Sequence, residues 1–240
     1  MARDFVLLLT GTVDPNNMTF TKLLDKEIRR KQYVEAIQYW LRHVNFPIVF
    51  IENSGYDLSP GFQKEIAEGR IMMHTFDGNN YDRTLGKGYG ELNCIEVAYQ
   101  QFERLRNAGF VFKVTGRHKV LNFPTYVKQM QDDAEADLLV NFYGFLKSCD
   151  SRIFGFVPRF IPDYLVKRKD SINDTKLVFF ENALSAAALE AIADSYNFRP
   201  LIELARISGS SGTMGINYKS NYFSWVKSRL ENMGRYKAFK

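Results

Sequence analysis

The 240-residue sequence has only two cysteines, Cys94 and Cys149. Their separation matches no metal-ligand spacing, so both are expected to be free, half-buried thiols of a cytoplasmic protein without a disulfide framework. No run approaches the ~18–20 apolar residues of a membrane-spanning helix. Nor does the start read as a secretory leader, because Ala2, Arg3 and Asp4 lead straight into the short apolar run Phe5–Leu9. Neither a Walker A motif nor a Gly-x-Gly-x-x-Gly turn is present, which weakens P-loop and dinucleotide readings. Internal repeats and a recognisable linker are lacking too, so residues 1–240 are expected to form a single domain.

Apolar residues make up 45% of the chain and charged residues 25%, a balance that excludes disorder and supports a full core. Lys and Arg number 32 against 27 Asp and Glu, a net charge of +5. That excess suits an anionic partner such as a nucleotide diphosphate, an anionic lipid surface or nucleic acid. The basic residues are interspersed with acidic ones and carry no nucleic-acid-binding motif, so a nucleic-acid partner is not expected.

Phe5–Leu9 and Ile48–Ile51 read as fully buried strands, joined by a helix expected over 19–43 with Phe20, Leu23, Leu24, Ile28, Val34, Ile37 and Leu41 on its apolar side. Lys26, Arg29, Arg30 and Lys31 supply the solvated face. Strand, long helix, strand is a βαβ unit. A short helix near 61–68, a strand at 70–75, a Gly- and Asn-rich loop over 76–90, a helix over 91–108 and a strand at 110–114 follow. Further on, strands are expected near 137–142, 152–156 and 200–205, helices over 174–194 and 220–232, and a glycine- and serine-rich loop over 207–217. The fold class is α/β, with an open, mostly parallel mixed sheet flanked by helices.

Four polar clusters fall at strand ends or a helix start, where ligands bind in open α/β sheets. They are Thr10-Gly11-Thr12, Glu52-Asn53, Gly86-Lys87-Gly88-Tyr89-Gly90-Glu91 and Lys113-Val114-Thr115-Gly116-Arg117. In the third, glycines would let the backbone approach an anion, Lys87 offers charge, and the helix start presents free N–H groups. A simple turn and cap fits that segment equally.

Taken together, these features resemble the nucleotide-sugar half of GT-A glycosyltransferases over residues 4–120, and more loosely beyond, with an acceptor-side half over 121–217. That family usually carries Asp-x-Asp, holding a divalent metal, where this chain has Lys113–Arg117. The sequence is similar to a bacterial surface-polysaccharide and lipooligosaccharide group in which Lys-x-Thr-Gly-Arg occurs with Lys-Gly-x-Gly-Glu upstream and Asp-Ser-Arg-x-Phe downstream. Here these are Lys113–Arg117, Lys87–Glu91 and Asp150–Phe154.

The resemblance implies transfer of a sugar from a nucleotide-sugar donor to a cell-surface glycan or lipid-linked acceptor, with no cofactor and no metal expected. Thr10, Gly11, Thr12, Glu52 and Asn53 would meet the nucleoside, and Lys87, Gly88, Gly90 and Glu91 the base and ribose. Lys113, Thr115, Gly116, Arg117 and Arg152 would meet the diphosphate, whose charge a guanidinium and an ammonium can neutralise in place of a metal. Alternatively Arg117 pairs with a carboxylate such as Asp150 and Lys113 points outward from an edge strand; His118 reads as a bystander. Glu181 is the first candidate for the base that deprotonates the acceptor and Asp150 the second, although a carboxylate at a helix start also fits Glu181. The aromatic and basic stretch 218–240 either lies on an anionic membrane at its cytoplasmic face or docks on the core. The competing functions are nucleotidyl transfer, which needs carboxylate-bound magnesium, a non-catalytic nucleotide-sugar binder and a nucleic-acid-binding protein.

Overall fold

Central strands buried on both faces must be apolar on both faces, and Phe5–Leu9 meets that demand with five consecutive apolar side chains. The computed structural model describes residues 3–16, 18 and 21–209. The first half runs β1 (Phe5–Gly11), α1 (Lys26–His43), β2 (Ile48–Glu52), α2 (Gln63–Ala67), β3 (Ile71–Thr75), α3 (Gly86–Gln101), α4 (Glu103–Arg106) and β4 (Phe110–Thr115). The second half runs β5 (Lys119–Val120), α5 (Phe123–Gln131), β6 (Leu138–Leu139), β7 (Phe142–Tyr143), β8 (Ser148–Cys149), β9 (Ile153–Phe156), α6 (Phe180–Ala193), β10 (Phe198–Arg199) and β11 (Ile207–Ser208).

Seven strands form one sheet in the order β10-β6-β9-β4-β1-β2-β3. β1 pairs parallel with both β2 and β4, and β2 with β3, whereas β9 runs antiparallel to β4 and β6. Strands from both halves of the chain thus share one sheet. Alternation along β1 sends Val6 and Leu8 to the layer of α3 and α6, and Phe5, Leu7 and Leu9 to the layer of α1 and α5. Trp40 anchors the second layer, fully buried edge-on to Phe123, with its indole N–H donating to the His118 carbonyl at 3.0 Å.

Several boundaries differ from expectation, each for a local reason. α1 starts at Lys26, because the Asp25 side chain accepts from the Ile28 amide at 2.9 Å and caps the helix there. Residues 21–25 are non-helical, and 19 and 20 lie outside the described residues. Arg29, expected on the solvated face, is buried, one turn before Tyr33 on the stripe that continues to Ile37 and Trp40. α3 begins five residues earlier than expected and takes in the whole glycine segment. The helix expected over 174–194 is a 3₁₀ turn at Asp174–Lys176 followed by α6, with Leu177 left-handed between them. Short 3₁₀ and π turns over 161–171 and helix α5 were not expected. In place of a strand over 200–205, the chain pairs at β10 and again at β11, so Ile207–Ser208 is strand and not loop. Residues 210–217 of that loop and the expected C-terminal helix lie outside the described residues.

α3 and α6 approach closely at Gly88, where an added Cβ would stand 2.9 Å from the Phe180 Cβ and from its backbone nitrogen. Gly88→Ala is therefore expected to lower stability by about 1–3 kcal/mol through overpacking. Gly61→Ala meets nothing within 4 Å and should leave the urea-denaturation midpoint within experimental error of wild type.

Candidate functional site

β1 sits between β2 and β4, so the chain departs to opposite sides of it, and a crevice opens at the carboxyl ends of these parallel strands. The cleft there has a volume of about 230 Å³ and is lined by, among others, Thr10–Thr12, Arg29, Asn53, Tyr81, Lys87, Glu91, Thr115, Arg117, Ser151, Arg152 and Glu181. The three segments that carry the Lys-Gly-x-Gly-Glu, Lys-x-Thr-Gly-Arg and Asp-Ser-Arg sequences therefore meet at one place.

At the floor of the cleft lies an ion pair whose ammonium is fully buried and whose carboxylate is partly exposed. Lys113 is fully buried on β4, between β1 and β9, and not on an edge strand. Its ammonium contacts the Glu91 carboxylate and donates to the Ser151 carbonyl at 2.8 Å, with the Phe154 ring centroid 5.5 Å away. The same Glu91 oxygen accepts from the Thr10 and Thr115 hydroxyls, each at 3.3 Å. Lys113 thus neutralises a protein carboxylate and does not line the cleft, contrary to its expected place at a diphosphate. The end of β4 does not fit a divalent metal either, since the carboxylate that reaches it is already held by an ammonium. No group of three His, Cys, Asp or Glu side chains suited to a metal gathers among the described residues.

Arg117 is different. It is nine-tenths buried and lines the cleft, and its Nε and Nη1 have no hydrogen-bond partner among the described residues. Asp150 does not compensate it. That carboxylate accepts from Arg152 through Nε and Nη2, both at 2.8 Å, from the Arg152 amide at 3.0 Å and from the Tyr143 hydroxyl at 3.2 Å. Burial lowers the pKa of Arg29, and the neighbouring charge of Arg117 lowers it further. Arg29 donates to the carbonyls of Thr12 at 2.9 Å and of Val13 at 3.2 Å, fixing the loop after β1. A buried guanidinium with open donors is costly until an anion accepts from it.

The glycines of α3 serve packing. Gly86 has φ +78°, in the left-handed region, and an added Cβ would collide with the Asp174 side chain; one at Gly90 would collide with the Tyr81 hydroxyl. Asp174 is buried against the start of α3, where the Lys87 amide and charge favour its ionised form while burial pushes its carboxyl up to about 6. The helix start that sequence offered to a phosphate is occupied by a carboxylate of the chain itself. Of residues 86–91, Lys87, Gly90 and Glu91 line the cleft, joined further along α3 by Cys94.

Glu52, expected at the nucleoside, is fully buried and accepts from the Val13, Ser54 and Tyr56 amides at 2.8, 2.9 and 2.9 Å and from the Ser54 hydroxyl. Burial pushes its carboxyl up and these bonds hold it back. It ties the loops after β1 and β2 together. Asn53 accepts from the Thr12 hydroxyl at 2.6 Å and donates to the Gly90 carbonyl at 3.3 Å. Glu181, in the first turn of α6, faces the cleft and accepts from the Ser151 hydroxyl at 2.7 Å.

Glu52, Gly88, Lys113, Gly116 and Asp150 thus lie outside the lining, while the other candidates face it. Gly116 holds the strand ends together, its amide donating to the Thr10 carbonyl at 2.8 Å. Sequence reasoning missed Arg29, Asn79, Tyr81 and Ser151, and His118, expected as a bystander, lines the cleft beside Arg117. Arg29 had a signal, since it falls on the apolar stripe of α1; Asn79 and Tyr81 sit in an irregular loop without one.

Lys113→Met is expected to cost about 3 kcal/mol, because it leaves the Glu91 carboxylate without its ammonium. A Glu91→Gln/Lys113→Met double variant should regain most of that loss in urea titrations. Asp174 has a folded pKa of about 6 against an ordinary 3.8, so its stability contribution is fully present at low pH and is lost as pH rises through about 6. The urea midpoint of wild type relative to Asp174→Asn should therefore fall between pH 4 and pH 7, on the order of one pKa-linked transition.

No family model matches the sequence, and no curated protein matches it at a significant level. Among solved structures, the inositol-1-phosphate CTP transferase from T. maritima is similar, with 13% identity, a TM-score of 0.51 and coverage of 99% of this chain and 97% of that one. A candidate nucleotide-diphospho-sugar transferase from Desulfovibrio desulfuricans has 12% identity and a TM-score of 0.48, covering 84% and 80% of the two chains. A 4-diphosphocytidyl-2C-methyl-D-erythritol synthase has 10% identity and a TM-score of 0.43, covering 96% and 98%. At these identities the likeness is one of fold, and over nearly its whole length the chain has the α/β fold of the CTP transferase.

Proposed function

We propose that this protein is a nucleotide-sugar-dependent glycosyltransferase that works without a divalent metal and delivers a sugar to a surface glycan or lipid-linked acceptor. The observation that carries the reading is Arg117, a nine-tenths buried guanidinium in the cleft at the strand ends whose Nε and Nη1 find no partner among the described residues. A diphosphate is the ligand class that this geometry suits, because guanidinium donors bind phosphate oxygens with paired, charge-assisted hydrogen bonds. Lys87 and Arg29 add positive charge around it, and Thr12, Asn53, Asn79 and Tyr81 form a polar and aromatic wall suited to a nucleoside.

In this reaction the acceptor hydroxyl attacks the anomeric carbon and its proton passes to Glu181, which Ser151 orients through the 2.7 Å hydrogen bond. As the new C–O bond forms, the bond to the diphosphate oxygen breaks and its electron pair leaves with the phosphate. Arg117 then stabilises the charge that accumulates there, a task of preorganised donors. A second reading, nucleotidyl transfer to a sugar phosphate, draws support from the overlap with the inositol-1-phosphate CTP transferase. The two reactions release different products: a nucleoside diphosphate in the first, pyrophosphate in the second.

A thermal-shift panel of UDP, GDP, CMP, dTDP and their sugars, each with EDTA and with manganese, tests the reading. One nucleotide is expected to stabilise the protein by about 2.7 kcal/mol at ~100 times its dissociation constant, with EDTA present. Arg117→Ala should weaken that nucleotide by about 10- to 100-fold, the loss of a hydrogen bond from a charged donor. A shift that needs manganese, or that survives Arg117→Ala intact, contradicts metal-independent transfer. Product analysis with the stabilising nucleotide then separates released nucleoside diphosphate from pyrophosphate.

A further inference from the structure

The hairpin of β7 and β8 ends in an apolar tip remote in character from the polar cleft. Phe145 at its apex is 99% exposed and Leu146 52%. Gly144, Phe145 and Leu146 have φ of +56°, +57° and +68°, three successive left-handed residues, a conformation unfavourable for any side chain with a Cβ. Nevertheless the tip is firmly tied down. The Ser185 hydroxyl donates to the Leu146 carbonyl at 2.6 Å and the Asn182 amide group to the Lys147 carbonyl at 2.7 Å, both from α6. Leu177, in the turn that precedes α6, repeats the pattern at φ +59° and 70% exposure.

Fixed backbone strain that holds large apolar side chains in water calls for an occupant. Within 142–152 and 173–182 the exposed charged residues are Lys147 and Lys176, both basic; Asp150 and Asp174 are buried, and Glu181 turns to the cleft. A convex tip of two or three side chains offers far less than the roughly 800 Å² per partner of a stable protein interface. A phase that single side chains can penetrate needs no such area, and basic residues beside inserted apolar ones are the pattern of binding to anionic bilayers.

We propose that the Phe145–Leu146 tip, with Lys147 next to it in the chain and assisted by Leu177 and Lys176 in the turn before α6, inserts into the interfacial layer of an anionic phospholipid membrane. This deepens the transferase reading and rests on it for its purpose: Asn182, which holds the tip, directly follows Glu181, so insertion brings the acceptor side of the cleft to the lipid surface. The attachment lies in a different part of the chain from the aromatic and basic stretch 218–240.

The test uses the full chain with Phe145→Trp in a Trp225→Phe background, which leaves buried Trp40 as the other indole. Vesicles are phosphatidylcholine alone or with about one third phosphatidylglycerol. On the anionic vesicles, emission is expected to shift to the blue and to be quenched by brominated lipid. Phe145→Asn, which tolerates the left-handed backbone and removes no internal contact, should weaken vesicle binding at least about tenfold with an unchanged thermal transition. Three results overturn the proposal: no binding to anionic vesicles; binding with the emission at position 145 unchanged and Phe145→Asn unaffected; or self-association without lipid that Phe145→Asn abolishes. Vesicle binding does not require a nucleotide. A failed nucleotide panel with successful insertion therefore removes the transferase reading and leaves the membrane site, and the converse removes the site alone.

Discussion

The contact between Lys113 and Glu91 is the point on which the architecture of the cleft depends. One carboxylate gathers an ammonium from β4, hydroxyls from β1 and β4, and a position on α3, while the ammonium also holds the carbonyl of Ser151 ahead of β9. In an interior of low dielectric such a pair stabilises little by itself, but it penalises every arrangement in which its members separate. The strand ends, the start of α3 and the Asp-Ser-Arg segment are thereby fixed relative to one another. Arg117, two residues beyond the end of β4, then lines the opening beside a frame in which Lys113 and Glu91 already neutralise each other.

The fold was legible where one physical demand governs many residues. Phe5–Leu9 and Ile48–Ile51 read as buried strands because both faces are covered, Phe110–Val114 read as a further strand, and the parallel pairing of the first two followed from the βαβ pattern. Legibility failed where a single residue decides a boundary. Asp25 stops α1 from extending over the apolar residues before it. The glycines at 86, 88 and 90 read as loop by propensity, yet contact with Asp174, Phe180 and Tyr81 places them inside a helix. Helix α5, only nine residues long with a proline in its first turn, is too short to show periodicity.

The candidate site divides in the same way. Strand ends in an open α/β sheet converge by topology, so Thr10, Asn53, Thr115 and Arg117, picked out by their place at strand ends, all line the cleft. Sequence position does not say on which side of a strand end a side chain finishes. Glu52 and Lys113 carry the right charge at the right place and are both directed into the protein, where they serve its own loops and strands. Arg29 and Ser151 show the reverse: residues with an ordinary look in sequence that packing brings to the cleft.

The seal on α3 has a consequence for biosynthesis. Asp174, which closes the helix start, is translated long after Gly86 and Lys87, and the cleft also draws Ser151, Arg152 and Glu181 from the second half. A nascent chain that has released only its first half holds β1, β2 and β4 but an incomplete pocket. No ligand of the complete cleft can therefore act as a template for the emerging half, since the lining is whole only once residues beyond 181 have left the ribosome. Until then the α3 face that α6 will cover is the surface most in need of protection from aggregation.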